Sequence, residues 1–288
     1  MVLASDMWNW SPADSHTHFG RHSETYMKLE EILRKEEQGK INAMLIGAGW
    51  AKPSPIREWN RPPPHYSWEY VELAIILDNI RKPWHFIRKP WHLTVADYSA
   101  EICEEADAQR ELIIDNHHLI NEEEQKYFKK TLKRLEDVTR ISGNHPVLSG
   151  MRISSWDSIY LARIPENLIR NISVMQADLT NAEEFQGGTY DLVTCHYVMG
   201  FVSREKHEDT KRTLSQLLAP RGILSIGFSI KQLNYYPELG EFPDLHKIDT
   251  IFERDTTIDY GFGGKNKEPY YAIFIYQKLP QPELANPP

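Results

Sequence analysis

A short apolar run that ends on two glycines constrains the fold of this chain more than any other feature. Residues 41–49 read Ile-Asn-Ala-Met-Leu-Ile-Gly-Ala-Gly. The run predicts a buried strand, and the glycines predict a tight turn where the backbone can approach a ligand closely. Because ligands of open parallel sheets bind outside the carboxyl ends of the strands, we predict a ligand site at Gly47.

Six further segments are expected to join this strand in one sheet. They are Leu93–Ala96 ending at Asp97, Ile172–Gln176 before Asp178, 190–195, 223–228, and a closing antiparallel pair near 247–254 and 270–278. Each is apolar or alternates between apolar and polar residues, as strands do. The sequence therefore predicts an α/β fold with a doubly wound, Rossmann-like sheet of seven strands.

Helical patterns occupy the connections between these strands. Apolar spacing of three and four predicts helices from Glu24 to about Glu37, from the cap Ser67 to Ile80, from the cap Ser99 to about Ile114, and from about 203 to 218. A charged pattern at 121–141 predicts one long helix with Phe128, Leu132, Leu135, Val138 and Ile141 on one stripe. We therefore expect a helical insertion at about 115–170.

The remaining segments complete the expected organisation. Residues 1–40 form an N-terminal segment and helix that contribute to the site, and 41–280 form the main domain. The proline-rich stretch 52–66 excludes helix, so the turn after Gly49 is expected to open into a long loop. The tail 281–288 is expected to be disordered.

Composition restricts the class of protein and its partners. The formal net charge of −8 argues against a nucleic-acid partner, because binding to phosphates requires a basic face. No apolar run approaches the roughly 20 residues needed to span a bilayer. Two cysteines, Cys103 and Cys195, make no disulfide framework and fit a reducing compartment. With no signal-peptide pattern at the start, we expect a cytoplasmic protein without membrane contact.

Five motifs follow one another in a characteristic order. They are Gly47-Ala48-Gly49 after the first strand, Asp97 at the end of the second, Asp178 in Gln-Ala-Asp-Leu after the third, Tyr-Asp-Leu-Val-Thr-Cys in the fourth, and Leu-Leu-Ala-Pro-Arg-Gly-Ile-Leu before the fifth. In this order they resemble the class I S-adenosylmethionine-dependent methyltransferases. The resemblance implies a seven-stranded sheet that binds S-adenosylmethionine as its cofactor.

Within that group the chain most resembles the chemotaxis-receptor glutamate methyltransferases. Three segments carry the resemblance: Thr17-His18-Phe19-Gly20-Arg21 for Thr-x-Phe-x-Arg, Ala96-Asp97-Tyr98-Ser99 for Ala-Asp-x-Ser, and 195–202 for Cys-Arg-Asn-Val-Met-x-Tyr-Phe. His196 and Tyr197 replace the family's Arg-Asn pair, so we expect a different acceptor. The predicted function is methyl transfer to an unidentified small-molecule or protein acceptor.

The chemistry of the cofactor indicates which residues hold it. Two ribose hydroxyls need paired acceptors, which the carboxylate of Asp97 supplies, and Asp178 can accept from the adenine amino group. The methionine carboxylate needs a cation, which Arg21 offers as a planar fork. The remaining candidate cofactor contacts are Thr17, Gly47, Gly49, Tyr98, Leu179 and His196.

Catalytic roles are predicted for His196 and Tyr197. An alcohol, phenol or amine acceptor needs a base, and His196 stands just past the fourth strand with an ordinary pKa near 6.5. For a carboxylate acceptor His196 would only orient the substrate. The aromatic ring of Tyr197 favours the sulfonium charge.

Two other functional classes fit parts of the sequence. Asp14, His16 and His18 resemble the metal-binding start of amidohydrolase-type barrels, with His117 and His118 as further ligands, which would indicate a metal-dependent hydrolase. A catalytically inactive cofactor-binding module is the second alternative. A dinucleotide-dependent oxidoreductase fits less well, because Lys52 occupies the position of the third glycine in its fingerprint.

Overall fold

The structure is a computed structural model that describes residues 22–35, 39–48, 69–80, 90–115, 122–141, 159–185, 188–253 and 271–280. The strands are β1 (Ile41–Ile46), β2 (Trp91–Asp97), β3 (Glu111–Asp115), β4 (Glu136–Arg140), β5 (Ile159–Arg163), β6 (Ile172–Gln176), β7 (Tyr190–His196), β8 (Leu218–Ser229), β9 (Leu245–Glu253) and β10 (Tyr271–Lys278). The α-helices are α1 (Ser23–Lys35), α2 (Glu69–Asn79), α3 (Ala100–Ala108), α4 (Glu122–Leu132), α5 (Glu166–Ile169), α6 (His207–Leu217) and α7 (Ile230–Tyr235).

Seven strands form the large sheet in the order β6-β2-β1-β7-β8-β10-β9. Strands β6, β2, β1, β7 and β8 pair in parallel, and β10 runs antiparallel to both of its neighbours. The chain builds outward from β1 to β2 and β6, and then returns to β7 on the other side of β1. The prediction of a seven-stranded, doubly wound, Rossmann-like sheet is confirmed, and its topological switch point lies between β1 and β7.

Both faces of the sheet are covered, which explains the continuous apolar sequence of β1. Ala43 and Leu45 pack into one core cluster with α1 and α2, whereas Met44 and Ile46 pack into a second cluster with α6. Helix α2 is buried along its whole length from residue 70 to 78. Its first residue, Glu69, contacts His196 at the end of β7 and so lies at the carboxyl edge of the sheet, where the predicted site lies.

The chain also forms a small antiparallel sheet, ordered β3-β5-β4. Two of the helix predictions are wrong in the segments that form its strands. Ser99 does cap a helix, because its side chain accepts a hydrogen bond from the N–H of Ile102 at 3.3 Å. That helix ends at Ala108, however, and the apolar run 111–115 pairs with β5 as a strand. The helix predicted at 121–141 likewise ends at Leu132, since residues 136–140 pair with β5.

The insertion is therefore only partly helical. The prediction of helices at about 115–170 is right for α4 and for the short α5 and wrong for β4 and β5. Val138, expected on the apolar stripe, is 38% exposed on β4. Strand pairing with β5, which is distant in sequence, decided the structure here.

The other predicted elements are confirmed within the described residues. Strands β1, β2, β6, β7 and β8, the antiparallel pair β9–β10 and helices α1, α2 and α6 all occur where the pattern placed them, with ends shifted by a few residues. The N-terminal segment 1–21, the cap Ser67, the proline-rich loop 52–66 and the tail 281–288 lie outside the described residues. Among the described helices, none is long and apolar enough to cross a membrane. Cys103 and Cys195 are both free thiols.

Candidate functional site

The glycine turn follows β1 at the switch point of the sheet. Gly47 has a φ of 86°, a conformation that side chains with a Cβ rarely adopt. Its N–H donates to the carbonyl of Ala96 at 2.8 Å, which holds the turn against the end of β2. A Cβ at Gly47 would lie 2.4 Å from Cγ2 of Val198, so the position has no room for a larger residue. Gly49 lies outside the described residues.

The carboxylate of Asp97 closes this turn from the neighbouring strand. Its Oδ2 accepts from the N–H of Ala48 at 2.9 Å, and its Oδ1 accepts from the N–H of Ser99 at 2.9 Å. Burial raises the pKa of Asp97, although these backbone donors offset part of the effect. The adjacent Tyr98 is 53% exposed. Asp97 therefore stands beside the glycine turn as the acid predicted for a ribose.

Asp178 follows the next strand along the sheet. The N–H of Ala177 donates to the carbonyl of Asp97 at 2.9 Å, so the two predicted acids stand on adjacent strand ends. Oδ1 of Asp178 accepts from the N–H of Thr180 at 2.9 Å and from its hydroxyl at 2.8 Å. These bonds fix the carboxylate in a turn. Leu179 is 5% exposed and packs into the core under that turn.

Several of the predicted site residues belong to the first 21 residues of the chain. Thr17 and Arg21 of the cofactor prediction, and Asp14, His16 and His18 of the metal-hydrolase alternative, all lie outside the described residues. The first described residue is His22, which directly precedes α1. Its ring centroid is 4.7 Å from that of His196, so the chain passes close to the end of β7 just after Arg21.

His196 ends β7 with a side chain that is fully buried. Its Nδ1 lies 2.5 Å from Oε1 of Glu69, and its Nε2 lies 2.9 Å from the hydroxyl of Ser225. Both ring nitrogens are thus engaged by protein groups. The predicted role of His196 as a base stays a prediction, and a base role would require one of these contacts to open.

Tyr197 adopts a strained backbone conformation directly after β7. Its φ of 63° is in the left-handed region, and its N–H donates to the carbonyl of Gly227 at 2.8 Å. The ring stacks on that of His22 at 5.4 Å between centroids and lies 4.5 Å from that of Tyr271. Such conformations persist where surrounding contacts enforce them and cluster at functional sites. The catalytic role of Tyr197 stays a prediction.

A buried polar network under this edge was not predicted from the sequence. Nδ1 of His22 lies 2.6 Å from Oε2 of Glu253, and the hydroxyl of Thr25 donates to Oε1 of Glu253 at 2.7 Å. The hydroxyl of Tyr26 donates to Oε1 of Glu69 at 2.7 Å. His22, Glu69 and Glu253 are far apart in the sequence and form no local motif, so no pattern could have grouped them.

The network sets the charge of its members. Burial alone would raise the pKa of Glu69, but the charge and hydrogen bond of His196 outweigh it and lower that pKa to about 2. The pKa of Glu253 is lowered in the same way, because His22 and Thr25 overcome the effect of burial. Burial lowers the pKa of His22, against the pull of Glu253. Two carboxylates are therefore held as anions inside the protein.

Comparison with known proteins gives fold-level likenesses only. No protein-family model matches the chain, and no curated protein sequence matches it. Among solved structures it is similar to the N-methyltransferase NodS from Bradyrhizobium japonicum WM9 in complex with S-adenosyl-L-homocysteine, with 11% identity, a TM-score of 0.39, and 92% of this chain and 90% of that chain covered.

Two further solved structures have similar values. The methyltransferase domain of bacterial CtHen1 is 11% identical with a TM-score of 0.43, and covers 90% of this chain and 98% of that one. A putative sarcosine dimethylglycine methyltransferase from Galdieria sulphuraria is 10% identical with a TM-score of 0.42, and covers 90% of this chain and 86% of that one.

Proposed function

We propose that the chain is an S-adenosylmethionine-dependent methyltransferase that binds its cofactor above Gly47, between β1 and β7. The observation that carries the proposal is the bond between the Asp97 carboxylate and the glycine turn at the switch point. In doubly wound sheets a nucleotide ligand binds at this point, and an acid near the end of the second strand takes its ribose hydroxyls.

The residues present fit this cofactor. Gly47 permits the tight turn after β1, since its φ of 86° and the contact with Val198 exclude a residue with a Cβ, and Asp97 offers two carboxylate oxygens as acceptors at the neighbouring strand end. Asp178 stands on the adjacent strand end for the adenine amino group. When bound, S-adenosylmethionine supplies an electrophilic methyl group on a sulfonium. The protein's task is to align the acceptor and exclude water.

The sequence disfavours a dinucleotide in the same place. A pyrophosphate needs the glycine turn to lead straight into a helix N-terminus, as in Gly-x-Gly-x-x-Gly. Here Lys52 replaces the third glycine, Pro53 follows at once, and the next described helix, α2, begins at Glu69. A cofactor without phosphate suits this turn better.

The proposal specifies only the class of molecule to which the acceptor belongs. A small molecule or a protein is supported over nucleic acid by the net charge of −8. The finer resemblance to receptor glutamate methyltransferases rests on Thr17–Arg21 and on residues 195–202, of which the first segment lies outside the described residues. The two free cysteines are consistent with action in the cytoplasm.

Calorimetric titration of the full chain with S-adenosylmethionine and S-adenosylhomocysteine tests the cofactor. We expect one site for each ligand, and about tenfold or greater weakening in Asp97→Asn, equivalent to about 1.4 kcal/mol or more. Asp107→Asn, which alters an exposed acid at the far end of α3, is the matched control and should bind as the unaltered chain does. Absence of binding heat with both ligands would overturn the proposal.

A further inference from the structure

A group of potential metal ligands lies in the interior, beneath the proposed cofactor site. His22 precedes α1, Glu69 opens α2, and His196 ends β7, so three separate elements each bring one side chain to the same place. One ligand atom from each residue lies within 4.8 Å of those of the other two. His22 is 2% exposed, His196 is 7% exposed and the side chain of Glu69 is 10% exposed. The group is therefore shielded from solvent.

The donor set suits a first-row divalent metal. Imidazole nitrogens and a carboxylate oxygen are ligands of zinc and of similar transition ions. Two histidines and one carboxylate leave at least one coordination position for a further ligand, as in catalytic rather than structural zinc sites.

Each of the three side chains also has its own outer hydrogen-bond partner. Nδ1 of His22 is held by Glu253 at 2.6 Å, Nε2 of His196 by Ser225 at 2.9 Å, and Oε1 of Glu69 by the hydroxyl of Tyr26 at 2.7 Å. Metal-binding histidines use the second ring nitrogen in this manner, to fix their tautomer and orientation. The outer bonds leave Nε2 of His22 and Nδ1 of His196 for the interior of the group.

Nε2 of His22 gives independent support for a bound cation. This atom is buried and has no hydrogen-bond partner within the described part of the chain. A buried polar atom without a partner destabilises the folded state, because it has lost its hydrogen bonds to water. The rest of the network satisfies its members, so this nitrogen is the atom that a bound cation would account for.

We propose that His22, through Nε2, His196, through Nδ1, and Glu69, through its carboxylate, bind one divalent transition-metal ion of the zinc class. In the structure Nδ1 of His196 and Oε1 of Glu69 are 2.5 Å apart. Two ligands of a tetrahedral zinc with bonds of about 2.0 Å lie about 3.3 Å apart, so entry of the ion requires these atoms to separate by less than about 1 Å. Glu253, Tyr26 and Ser225 then form the outer shell.

The proposal is independent of the methyl donor, and its test needs no enzyme assay. The purified full chain is treated with a chelator, dialysed, and titrated with Zn²⁺ in a calorimeter, with metal content measured by mass spectrometry. We expect about one tightly bound zinc per chain and a raised Tm. Co²⁺ in its place should give visible d–d absorption typical of a low-symmetry site with nitrogen and oxygen ligands.

Four variants locate the ion. His22→Gln and Glu69→Gln each remove a ligand and should weaken Zn²⁺ binding about 100-fold, whereas Ser225→Ala alters an outer partner and should weaken it about tenfold. His92→Gln is the matched control, since His92 is a half-buried histidine bonded to Ser173 on the far part of the sheet. It should bind zinc as the unaltered chain does.

The outcomes separate the proposed site from its alternatives. A His16→Gln/His18→Gln variant that retains zinc supports the proposal, and one that loses zinc while His22→Gln retains it overturns the proposal in favour of the N-terminal motif. A chain that binds no zinc and gives no Co²⁺ spectrum also overturns it and identifies the group as a purely hydrogen-bonded network. The Co²⁺ spectrum of the unaltered chain decides the question even where a variant fails to fold.

Discussion

Asp97 and Ala48 are joined by a hydrogen bond of 2.9 Å from the Ala48 N–H to the Asp97 carboxylate, although 48 residues separate them in the chain. The bond ties the end of β2 to the glycine turn after β1. The same carboxylate accepts from the N–H of Ser99 at the start of α3. One side chain thus holds the glycine turn after β1 and the start of α3 together at the end of β2.

Removing this carboxylate should reduce stability as well as cofactor affinity. Asp97→Ala leaves the N–H groups of Ala48 and Ser99 without their acceptor, so we expect the free energy of unfolding to fall by about 1–3 kcal/mol. Asp97→Asn retains one acceptor oxygen and should lose less stability than Asp97→Ala. Urea denaturation of the two variants measures the difference. Equal losses would show that the backbone bonds contribute little.

Gly47→Ala should be strongly destabilising for two separable reasons. The φ of 86° is unfavourable for alanine by about 1–2 kcal/mol, and the new Cβ would lie 2.4 Å from Cγ2 of Val198, which adds about 1–3 kcal/mol of steric strain.

A double-mutant cycle with Val198→Ala separates these effects. In the double variant the steric strain is relieved and the backbone strain remains. Its free energy of unfolding should therefore lie below that of Val198→Ala alone by only about 1–2 kcal/mol. Chemical denaturation supplies all four values. Strict additivity of the two single losses would contradict the collision between the two side chains.

Local sequence was sufficient for the large sheet because its strands are apolar runs with polar ends. Ile41–Ile46 and Tyr190–His196 are buried on both faces, so the pattern indicated them directly. Local sequence was insufficient where an apolar run is compatible with either a helix or a strand. Residues 111–115 continue the spacing of α3, and only pairing with β5 makes them a strand.

The candidate site was predictable to the extent that it uses strand ends. Asp97, Asp178 and Gly47 follow apolar runs, and they stand on three neighbouring strands of one edge. Glu69 and His22 were missed, because the bond of Glu69 to His196 spans 127 residues and leaves no periodic signal. Such contacts are set by the packing of α1 and α2 on the sheet rather than by local sequence.

The N-cap of α3 is a local interaction, so the effect of removing it depends little on tertiary contacts. Ser99→Ala removes the oxygen that accepts from the N–H of Ile102 and should lower the free energy of unfolding by about 1 kcal/mol. Ser215→Ala changes a serine inside α6, where alanine is the better helix former, and should cost nothing. Thermal unfolding of both variants checks the contrast. An equal effect of the two substitutions would contradict a specific cap at Ser99.

Glu30 on α1 binds two cations, one of which, Lys130, lies on α4 and links the two helices. Its carboxylate accepts from Arg34 on the same helix and from Nζ of Lys130 at 2.8 and 3.0 Å. Burial alone would raise the pKa of Glu30, but the hydrogen bonds and charges of Arg34 and Lys130 outweigh it and lower the pKa below its ordinary value of 4.5. Deprotonation is therefore favoured by folding.

The sign of the pH dependence follows from this lowered pKa. Between the ordinary value of 4.5 and neutral pH the carboxylate contributes its full stabilisation, and the contribution is lost as the pH falls through the folded-state pKa. We expect Glu30→Gln to reduce the free energy of unfolding by about 1–3 kcal/mol at pH 7. The difference from the unaltered chain should shrink below about pH 4.5. Urea titrations between pH 7 and 3 measure this, with Glu101→Gln, an exposed glutamate in the first turn of α3, as the control. A difference that grows on acidification would show that Glu30 is protonated in the folded protein.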